Sequence, residues 1–522
     1  MKKLAQECAP VPDNLFFVST LILALDIGTS SLKTALFDER GRRLEKTTAH
    51  QAYSLRVAHD GTAELAVRDL EQAALRALRA TLLARKKIGA LKDRPIVAVA
   101  ASCFWHSLLG YDARRQKPTP IYTWADARCH EDALRLRSLR RETSYHTRTG
   151  CMLRTPYWPA KLRWLARTGA ARGVTSWMSP AEWLCGRLAG KSTVSVSMAS
   201  GTGLMDLRAC AWDASLLRLA GIRPESLGEI SDEPFRIAPK NSSLPILHFF
   251  SELKDAPWFP ALGDGAASNL GSDAVTGRTA AMNVGTSAAL RLVAHRPPAR
   301  PVPGLFCYRV DADRCLLGGA ISNAGNLRAW ALHQLRLPDN PAALERALSR
   351  RMLPSRGLTV LPFWTGERSP SWPATVGGTI TGLTYATTAL DLLQALVEST
   401  YHRLAQIADL LERQSGHRLD LVVSGGIRHS PESLQRLANV LGRPLRICAE
   451  PEASLRGAAV HALERLGKKA QPLPAGPAIR PHAAAARLYA EVRAAQISLE
   501  EKTSATFSTH RHPALRKKKR RT

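Results

Sequence analysis

The chain has 522 residues, with 73 lysines and arginines against 44 aspartates and glutamates, a formal net charge of +29, 45% hydrophobic residues and 22% charged residues. At roughly 100 to 200 residues per domain this length predicts two to four domains, which excludes a single small binding module, and the composition excludes wholesale disorder. The nine cysteines are scattered and form no CxxC pair, so they read as reduced thiols of a cytoplasmic protein and not as a zinc or redox site.

In chain order, the apolar run at 15–25 is far short of the roughly 20 residues a membrane-spanning helix needs. Glu7, Pro10, Pro12 and Asp13 precede it, which argues against a signal peptide. Residues 21–25 read instead as a strand buried on both faces. That strand runs through Asp26 into Gly28-Thr29-Ser30-Ser31, after which residues 32–38 alternate and turn at Glu39-Arg40-Gly41, describing a hairpin. A tight turn of glycine and small hydroxyls lets N–H and O–H groups reach phosphate oxygens, and an aspartate at the strand end can hold Mg2+ directly or through water. Taken alone, an ordinary hairpin turn accounts for the same residues.

Residues 67–84 place Leu70, Ala74, Leu75, Leu78 and Leu82 on one helical face, and residues 96–100 form a further strand, so the layering is α/β. Trp124 offers an apolar wall, Asp126 can accept hydrogen bonds, and Arg128 can pair with Asp126 or with another carboxylate. His106 can donate to a hydroxyl or serve as a structural histidine. Trp158, Trp164, Trp177 and Trp183 lie in apolar segments and read as core, not as a stacking platform for nucleic acid. Asp264, between Gly263 and Gly265, has the exposure and backbone freedom to accept a hydroxyl proton, with an Asp-Gly turn as the alternative.

Asn283-Val284-Gly285-Thr286-Ser287 repeats the pattern of residues 26–31 after a second small apolar approach. Two copies of one strand, turn, strand unit suggest two related domains, each offering a phosphate loop across a shared cleft. Only the first copy has the carboxylate. Residues 389–411 form a second amphipathic helix, and residues 419–423 read as a strand entering Ser424-Gly425-Gly426-Ile427 before a helical stretch at 431–441. Gly425 and Gly426 would let a flat base or ribose lie against the backbone, or would make a plain strand-to-helix turn. Residues 296–303 and 471–481 read as loop or linker.

These segments, in this order over residues 21–466, resemble the FGGY carbohydrate kinases of the sugar kinase, Hsp70 and actin superfamily. DIGTSS resembles the first phosphate motif, NVGTS the second, and SGGIRHSP with EPEASLRGAAVHAL the adenosine motif and its final helix. Residues 261–268, ALGDGAAS, resemble the segment carrying the family's catalytic base. The resemblance implies an α/β fold of two ribonuclease H-like domains (actin/Hsp70/sugar kinase type) flanking a central cleft. Residues 1–20 would be an N-terminal extension, 21–272 the sugar-binding domain with the first phosphate loop and the base, 273–470 the domain with the second phosphate loop and the adenosine site, and 471–522 a linker and poorly ordered basic tail. It also implies ATP and Mg2+, with Asp264 as general base and Asp26 as metal ligand. Gly28, Thr29, Ser30, Ser31, Gly285, Thr286 and Ser287 would surround the phosphates, and Gly425, Gly426 and Ile427 the adenosine.

The finer pattern at 102–109, 124–128, 149–165 and 197–204 is similar to the gluconate kinase branch and adds Tyr157 and Lys161 to His106, Trp124, Asp126 and Arg128 as substrate residues. It departs from that branch at Trp105, where Met is usual, and at Arg154, where His is expected. Glycerol kinases typically carry W-Q-D-x-R and an Arg-Glu pair where Trp105 and His106 stand. The expected activity is ATP-dependent phosphorylation of a sugar or sugar acid hydroxyl, gluconate preferred, with a xylulose-type ketose kinase as the alternative. A non-catalytic nucleotide-binding regulatory protein, or one that binds nucleic acid, is the alternative from another class; the presence of both Asp26 and Asp264 argues against it. Seven of the bases lie in residues 511–522, leaving +22 spread over the body, and a solvated terminus is the simpler reading of that tail. No membrane partner is expected, and the oligomeric state is open, a homodimer included.

Overall fold

The segment LILALDI is apolar up to Asp26, and it forms β1 (Leu21–Ile27), buried everywhere except at that aspartate. In the computed structural model, which describes residues 19–139, 141–237, 251–355, 357–372 and 376–509, β1 is central to a five-stranded sheet. It pairs antiparallel with β2 (Ser31–Asp38), which pairs antiparallel with β3 (Ala49–Ala52). On its other side β1 runs parallel to β4 (Ile96–Cys103), with Asp26 opposite Ser102, and β4 runs parallel to β5 (Leu262–Gly263), with Gly263 opposite Cys103. The expected amphipathic helix is α1 (Val67–Lys87), whose buried stripe includes Leu70, Ala74, Leu78 and Leu82. It is tied to β2 by the Thr34 hydroxyl, 3.0 Å from the Ala77 carbonyl and 2.7 Å from the Thr81 hydroxyl. Helices α2 (Trp158–Thr168) and α3 (Asp264–Gly271) complete the elements that position the site.

A second sheet repeats this order. β6 (Thr279–Val284) pairs antiparallel with β7 (Ala288–Ala294), and the outer strands β8 (Phe306–Arg309) and β9 (Cys315–Ile321) continue antiparallel. On the other side β6 runs parallel to β10 (Asp420–Ser424), and β10 parallel to β11 (Leu445–Ile447), with β12 (Ala478–Ile479) at the edge. Thus β9-β7-β6-β10-β11 has the same sense and order as β3-β2-β1-β4-β5. The turn repeated in sequence is a repeat of topology, three antiparallel strands followed by two parallel ones. Helices α4 (Ala389–Ser415) and α5 (Pro431–Leu441) belong to this second unit.

The division between units differs from a cut at 272/273 and 470/471. The first unit takes Met1–Leu139, Leu153–Gly271 and Ser454–Pro472, and the second takes Arg140–Met152, Ser272–Ala453 and Leu473–Thr522. The reason is core chemistry. Helix α6 (Ala453–Arg465) puts Leu455, Ala458, Ala459, Ala462 and Leu463 into one cluster with Ile22, Ala24, Phe37 and Ala98. Arg456, 1% exposed, donates to the carbonyls of Gly41, Gly271 and Gln471 at 3.2, 2.9 and 2.7 Å. In the second unit, the Cys307 N–H donates to the Gly150 carbonyl at 2.9 Å, and His146 Nε2 lies 2.7 Å from the Leu305 carbonyl.

The expectation of a linker and poorly ordered tail over 471–522 is corrected for most of its length: residues 483–509 form helix α7 (Ala483–Thr509). Its buried face is largely polar, which hid it from hydrophobic periodicity. Tyr489 donates to Glu398 at 2.7 Å, and Gln496 donates to the carbonyls of Val360 and Ser399 at 2.8 and 3.0 Å. Glu500 accepts from Arg403. The basic run at 511–522 and residues 1–18 lie outside the described residues. No helix among the described residues is long and apolar enough to cross a membrane.

Candidate active site

Parallel strands bring their carboxyl ends to one edge of a sheet, where open α/β folds bind ligands. β1, β4 and β5 do this with Asp26, Cys103 and Asp264. Cys103 ends the middle strand, and its thiol is pushed well up, first by burial and then by the charges of Asp264 and Asp26. Both carboxylates therefore stand close to one point, and both are partly exposed. Asp26 accepts from the Ser102 hydroxyl. The following turn is closed by Gly28 N–H to the Ser31 carbonyl at 2.9 Å and by the Tyr53 hydroxyl donating to the Gly28 carbonyl. Burial, then the neighbouring Cys103 and Asp26 charges, push the Tyr53 phenol up, so it stays a neutral donor.

Among the described residues no three His, Cys, Asp or Glu side chains cluster to hold a metal. A single partly exposed carboxylate suits Mg2+, which keeps several waters and takes one or two carboxylates plus substrate phosphates. Asp26 has that character.

Asp264 opens α3, where the helix terminus favours negative charge. Its approach is fixed by Trp105, 4% exposed. The indole lies so close to Gly263 that a Cβ there would come within 1.8 Å of the ring, and one on Gly201 within 2.4 Å. Trp105 Nε1 donates to the Ser197 carbonyl, and Gly263 N–H donates to the Ser197 hydroxyl, each at 3.0 Å. Trp105, Ser197 and Gly201 thus brace the strand that delivers Asp264. Their segments stood out in the sequence only as departures from, or parts of, a family pattern.

The substrate residues expected from sequence divide into two groups. Trp124 is half-buried, its Nε1 donating to Thr29 Oγ1 at 3.1 Å and its N–H to Ser107 Oγ at 2.9 Å. His106 takes a left-handed φ of 68°, with Nδ1 2.6 Å from the Gly201 carbonyl and its ring edge-on to Tyr157 at 4.9 Å. Asp126 and Lys161 correct the expectation. The Asp126 side chain is 0% exposed, and its oxygens accept from the N–H groups of Ala63 and Arg128 at 3.1 and 3.2 Å and from the Arg128 guanidinium at 2.6 Å. No face is left for a sugar hydroxyl. Lys161 is also fully buried: its Nζ donates to the carbonyls of Thr155 and Pro156 at 2.5 and 3.0 Å, and burial holds its pKa below the ordinary lysine value. Its role is to fix the turn that delivers Tyr157 to α2.

Arg128 binds Asp126 and Glu64, the latter at 2.5 Å, and lies over the Trp164 ring at 4.5 Å. One guanidinium between two carboxylates carries a net negative charge, so this cluster disfavours a substrate carboxylate. Glu64, in a short strand between loops, gave no signal in the sequence. Arg154 is half-buried, with Nη1 donating to the Leu153 carbonyl at 3.1 Å.

The second unit places its turns side by side on the parallel strands β6 and β10. Asn283, opposite Ser424, donates to its hydroxyl at 3.1 Å. Gly285 N–H donates to the Ser287 carbonyl at 2.9 Å, while the carbonyls of Gly285 and Thr286 accept from Gly325 and Asn326 at 2.9 and 3.1 Å. Gly425 has a φ of +90°, and a Cβ there would lie 2.5 Å from the Val284 carbonyl oxygen; only glycine fits. Gly426 opens onto empty space, whereas the Ile427 side chain is buried and offers a ligand its backbone alone.

The model of the FGGY carbohydrate kinase N-terminal domain matches residues 21–240 and that of the C-terminal domain residues 280–464. The chain belongs to the FGGY family of carbohydrate kinases. Gluconokinase of Bacillus subtilis (strain 168) is 26% identical over 468 residues, 86% of this chain and 88% of its own length. The crystal structures of gluconate kinase and of ligand-bound xylulose kinase from Lactobacillus acidophilus each superpose with a TM-score of 0.81 at 25% identity, covering 94% of this FGGY chain and 99% of theirs. Glycerol kinases match at similar identity. The two units carry the actin/Hsp70-type fold of these kinases, and this FGGY protein is a sugar kinase.

Proposed function

We propose that this kinase transfers the γ-phosphoryl group of ATP to a hydroxyl of a sugar acid, with gluconate first and a ketose such as xylulose second. The observation that carries the reading is the placement of Asp26 and Asp264 at the ends of the two strands that flank β4, on either side of Cys103. Phosphoryl transfer asks a protein mainly to position reactants and stabilise charge. Asp264 accepts the proton of the attacking hydroxyl as the O–P bond forms. Mg2+, when bound, neutralises phosphate charge, and Asp26 is the residue that would hold it. Thr29, Ser30 and Ser31 in the first unit, and Thr286 and Ser287 in the second, offer N–H and O–H donors to phosphate oxygens, while Gly28 and Gly285, whose N–H groups close their own turns, give the phosphates room to approach. The backbone of residues 425–427 receives the adenosine.

For the acceptor, Trp124 gives the apolar wall, and His106 and Tyr157 give polar edges. Arg154, not Arg128, is the guanidinium assigned to the gluconate carboxylate, since Arg128 is already held by two carboxylates. The gluconokinase and gluconate kinase relatives support the sugar acid, and the xylulose kinase likeness supports the ketose. A cytoplasmic location belongs to the same proposal.

The test is ADP release by purified protein with ATP, Mg2+ and a panel of aldonates, ketoses and polyols. Turnover with gluconate that exceeds that with xylulose and glycerol is expected. Turnover with xylulose alone would move the protein to the ketose reading and leave the roles of Asp264 and Asp26 standing.

A further inference from the structure

Trp124 and Thr29 are 95 residues apart, yet the indole Nε1 lies 3.1 Å from the Thr29 hydroxyl oxygen. An indole N–H only donates, so the direction of this bond is fixed and Thr29 is the acceptor. A threonine hydroxyl also has one proton to give. Among the described residues Thr29 Oγ1 has no second partner, so that proton is left for a group outside the protein.

The rest of the turn is held without Trp124. Gly28 N–H closes on the Ser31 carbonyl, and Tyr53 donates to the Gly28 carbonyl. The backbone is fixed by these bonds, and the variable the indole controls is rotation of one hydroxyl. Trp124 is itself anchored through its N–H to Ser107 Oγ, next to His106. The acceptor wall and the phosphate turn therefore form one hydrogen-bonded unit.

We propose that Trp124 is a positioning residue for the nucleotide: its N–H holds the Thr29 hydroxyl with the proton turned toward a phosphate oxygen, so that acceptor and nucleotide bind cooperatively. This rests on the reading above, in which Thr29 meets phosphate and Trp124 walls the acceptor. A sugar packed on the indole restricts its side-chain torsions and so holds the hydroxyl in its donating pose. A phosphate that takes the proton returns the same factor to the sugar, because coupling between two binding equilibria is reciprocal.

The experiment is a double-mutant cycle on the full-length enzyme, with calorimetric affinity for AMP-PNP and Mg2+ read first without any acceptor, so the result does not depend on which sugar is used. Trp124→Phe, which keeps an aromatic wall and removes the N–H, should weaken AMP-PNP about 3- to 10-fold, the range for one hydrogen bond. Thr29→Val should weaken it at least as much, the double variant no further than Thr29→Val, and Thr29→Ser should match wild type. With gluconate or xylulose present, the factor by which acceptor tightens AMP-PNP should fall to about one in both Trp124→Phe and Thr29→Val. Losses that multiply in the double variant, or a Trp124→Phe affinity within about twofold of wild type beside a weakened Thr29→Val, would overturn the coupling while leaving the phosphate role of Thr29 intact. An unchanged Thr29→Val would overturn that role and the coupling with it. Should Trp124→Phe not fold, Thr29→Val against Thr29→Ser decides: an acceptor effect on AMP-PNP retained in Thr29→Val ends the proposal.

Discussion

The turn after β1 and the turn after β6 share strand order and sense, yet they are equipped differently. The first has a carboxylate on its strand, Asp26, bonded to a serine of the parallel neighbour; the second has an amide, Asn283, bonded to the corresponding serine. The first borrows side chains for support, Tyr53 and Trp124, while the second is closed by backbone from Gly325 and Asn326. One architecture thus presents a carboxylate at the turn of one unit and an amide at the turn of the other. On the proposed reading the acid serves the chemistry and the amide serves holding. The buried charges differ too: the second unit encloses Arg436 between Glu398 at 2.6 Å and Glu432 at 2.5 Å, with the Tyr489 hydroxyl of α7 at 3.0 Å.

If the second unit is chiefly a holder, its largest vulnerability is that network. Arg436→Met leaves two buried carboxylates without their cation and should cost about 3 to 5 kcal/mol of stability; a urea midpoint close to wild type would break the contrast. In the first unit the expected loss is catalytic. Asp264→Asn should bind AMP-PNP normally while turnover falls about 100-fold or more, and near-normal turnover in folded protein would remove Asp264 as the base.

The contrast sharpens at glycine. A Cβ on Gly285 would meet only Asn283 Oδ1 and Ser287 O, both at 3.9 Å, whereas one on Gly425 would strike the Val284 carbonyl at 2.5 Å. Gly285→Ala should therefore keep its melting temperature and weaken ATP by about tenfold through crowding of phosphate oxygens, and Gly425→Ala should lose stability with or without nucleotide. Calorimetric ATP affinity equal to wild type in Gly285→Ala would count against a phosphate role for that turn.

The last contrast concerns pH. His402, 1% exposed, has no partner on either ring nitrogen among the described residues, and burial, with a lesser push from Arg493, lowers its pKa from the ordinary 6.5 to about 3. Between those values the unfolded chain takes up a proton that the folded chain refuses. Its contribution is therefore intact above pH 6.5 and lost as pH falls toward 3, at up to about 1.4 kcal/mol per pH unit. Glu182 and Glu367, pushed up to about 7 mainly by burial, act in the opposite sense, stabilising fully below 4.5 and losing that contribution as pH rises through 7. The difference in stability between wild type and His402→Leu isolates the histidine. It should shift against wild type from pH 7 to pH 4, and a constant difference would show that His402 is not held neutral.

Much of this was legible in the chain because it depends on local pattern. LILALDIGTS and TAAMNVGTS declared both turns and, through their repetition, two related sheets. Asp264 stood out by its place in the order of family-like motifs, since a carboxylate between glycines reads equally well as an Asp-Gly turn. The misreadings at Asp126 and Lys161 have one cause: a polar residue beside a site motif looks like a ligand group until its burial is known, and burial is set by Ala63, Glu64, Thr155 and Pro156 through contacts that no spacing reveals. Helix α7 escaped notice because it packs through Tyr489, Gln496 and Glu500, which carry no apolar period. The assignment of α6 was hidden by its position, nearly 200 residues beyond the rest of the unit it completes.

That last feature bears on how the protein is made. Because Leu455, Ala458, Ala459, Ala462 and Leu463 fill the same core as Ile22 and Phe37, a nascent chain cannot cover its first sheet when the ribosome has passed residue 271; it must wait for α6, after every strand of the second sheet but the edge strand β12 has been synthesised. A fragment ending at the apparent boundary would expose the underside of β1 and β2 to solvent, and such unfinished apolar faces are where aggregation begins. Splitting this enzyme into two separately expressed halves at residue 272 should therefore yield an insoluble first half, rescued only when α6 is supplied with it.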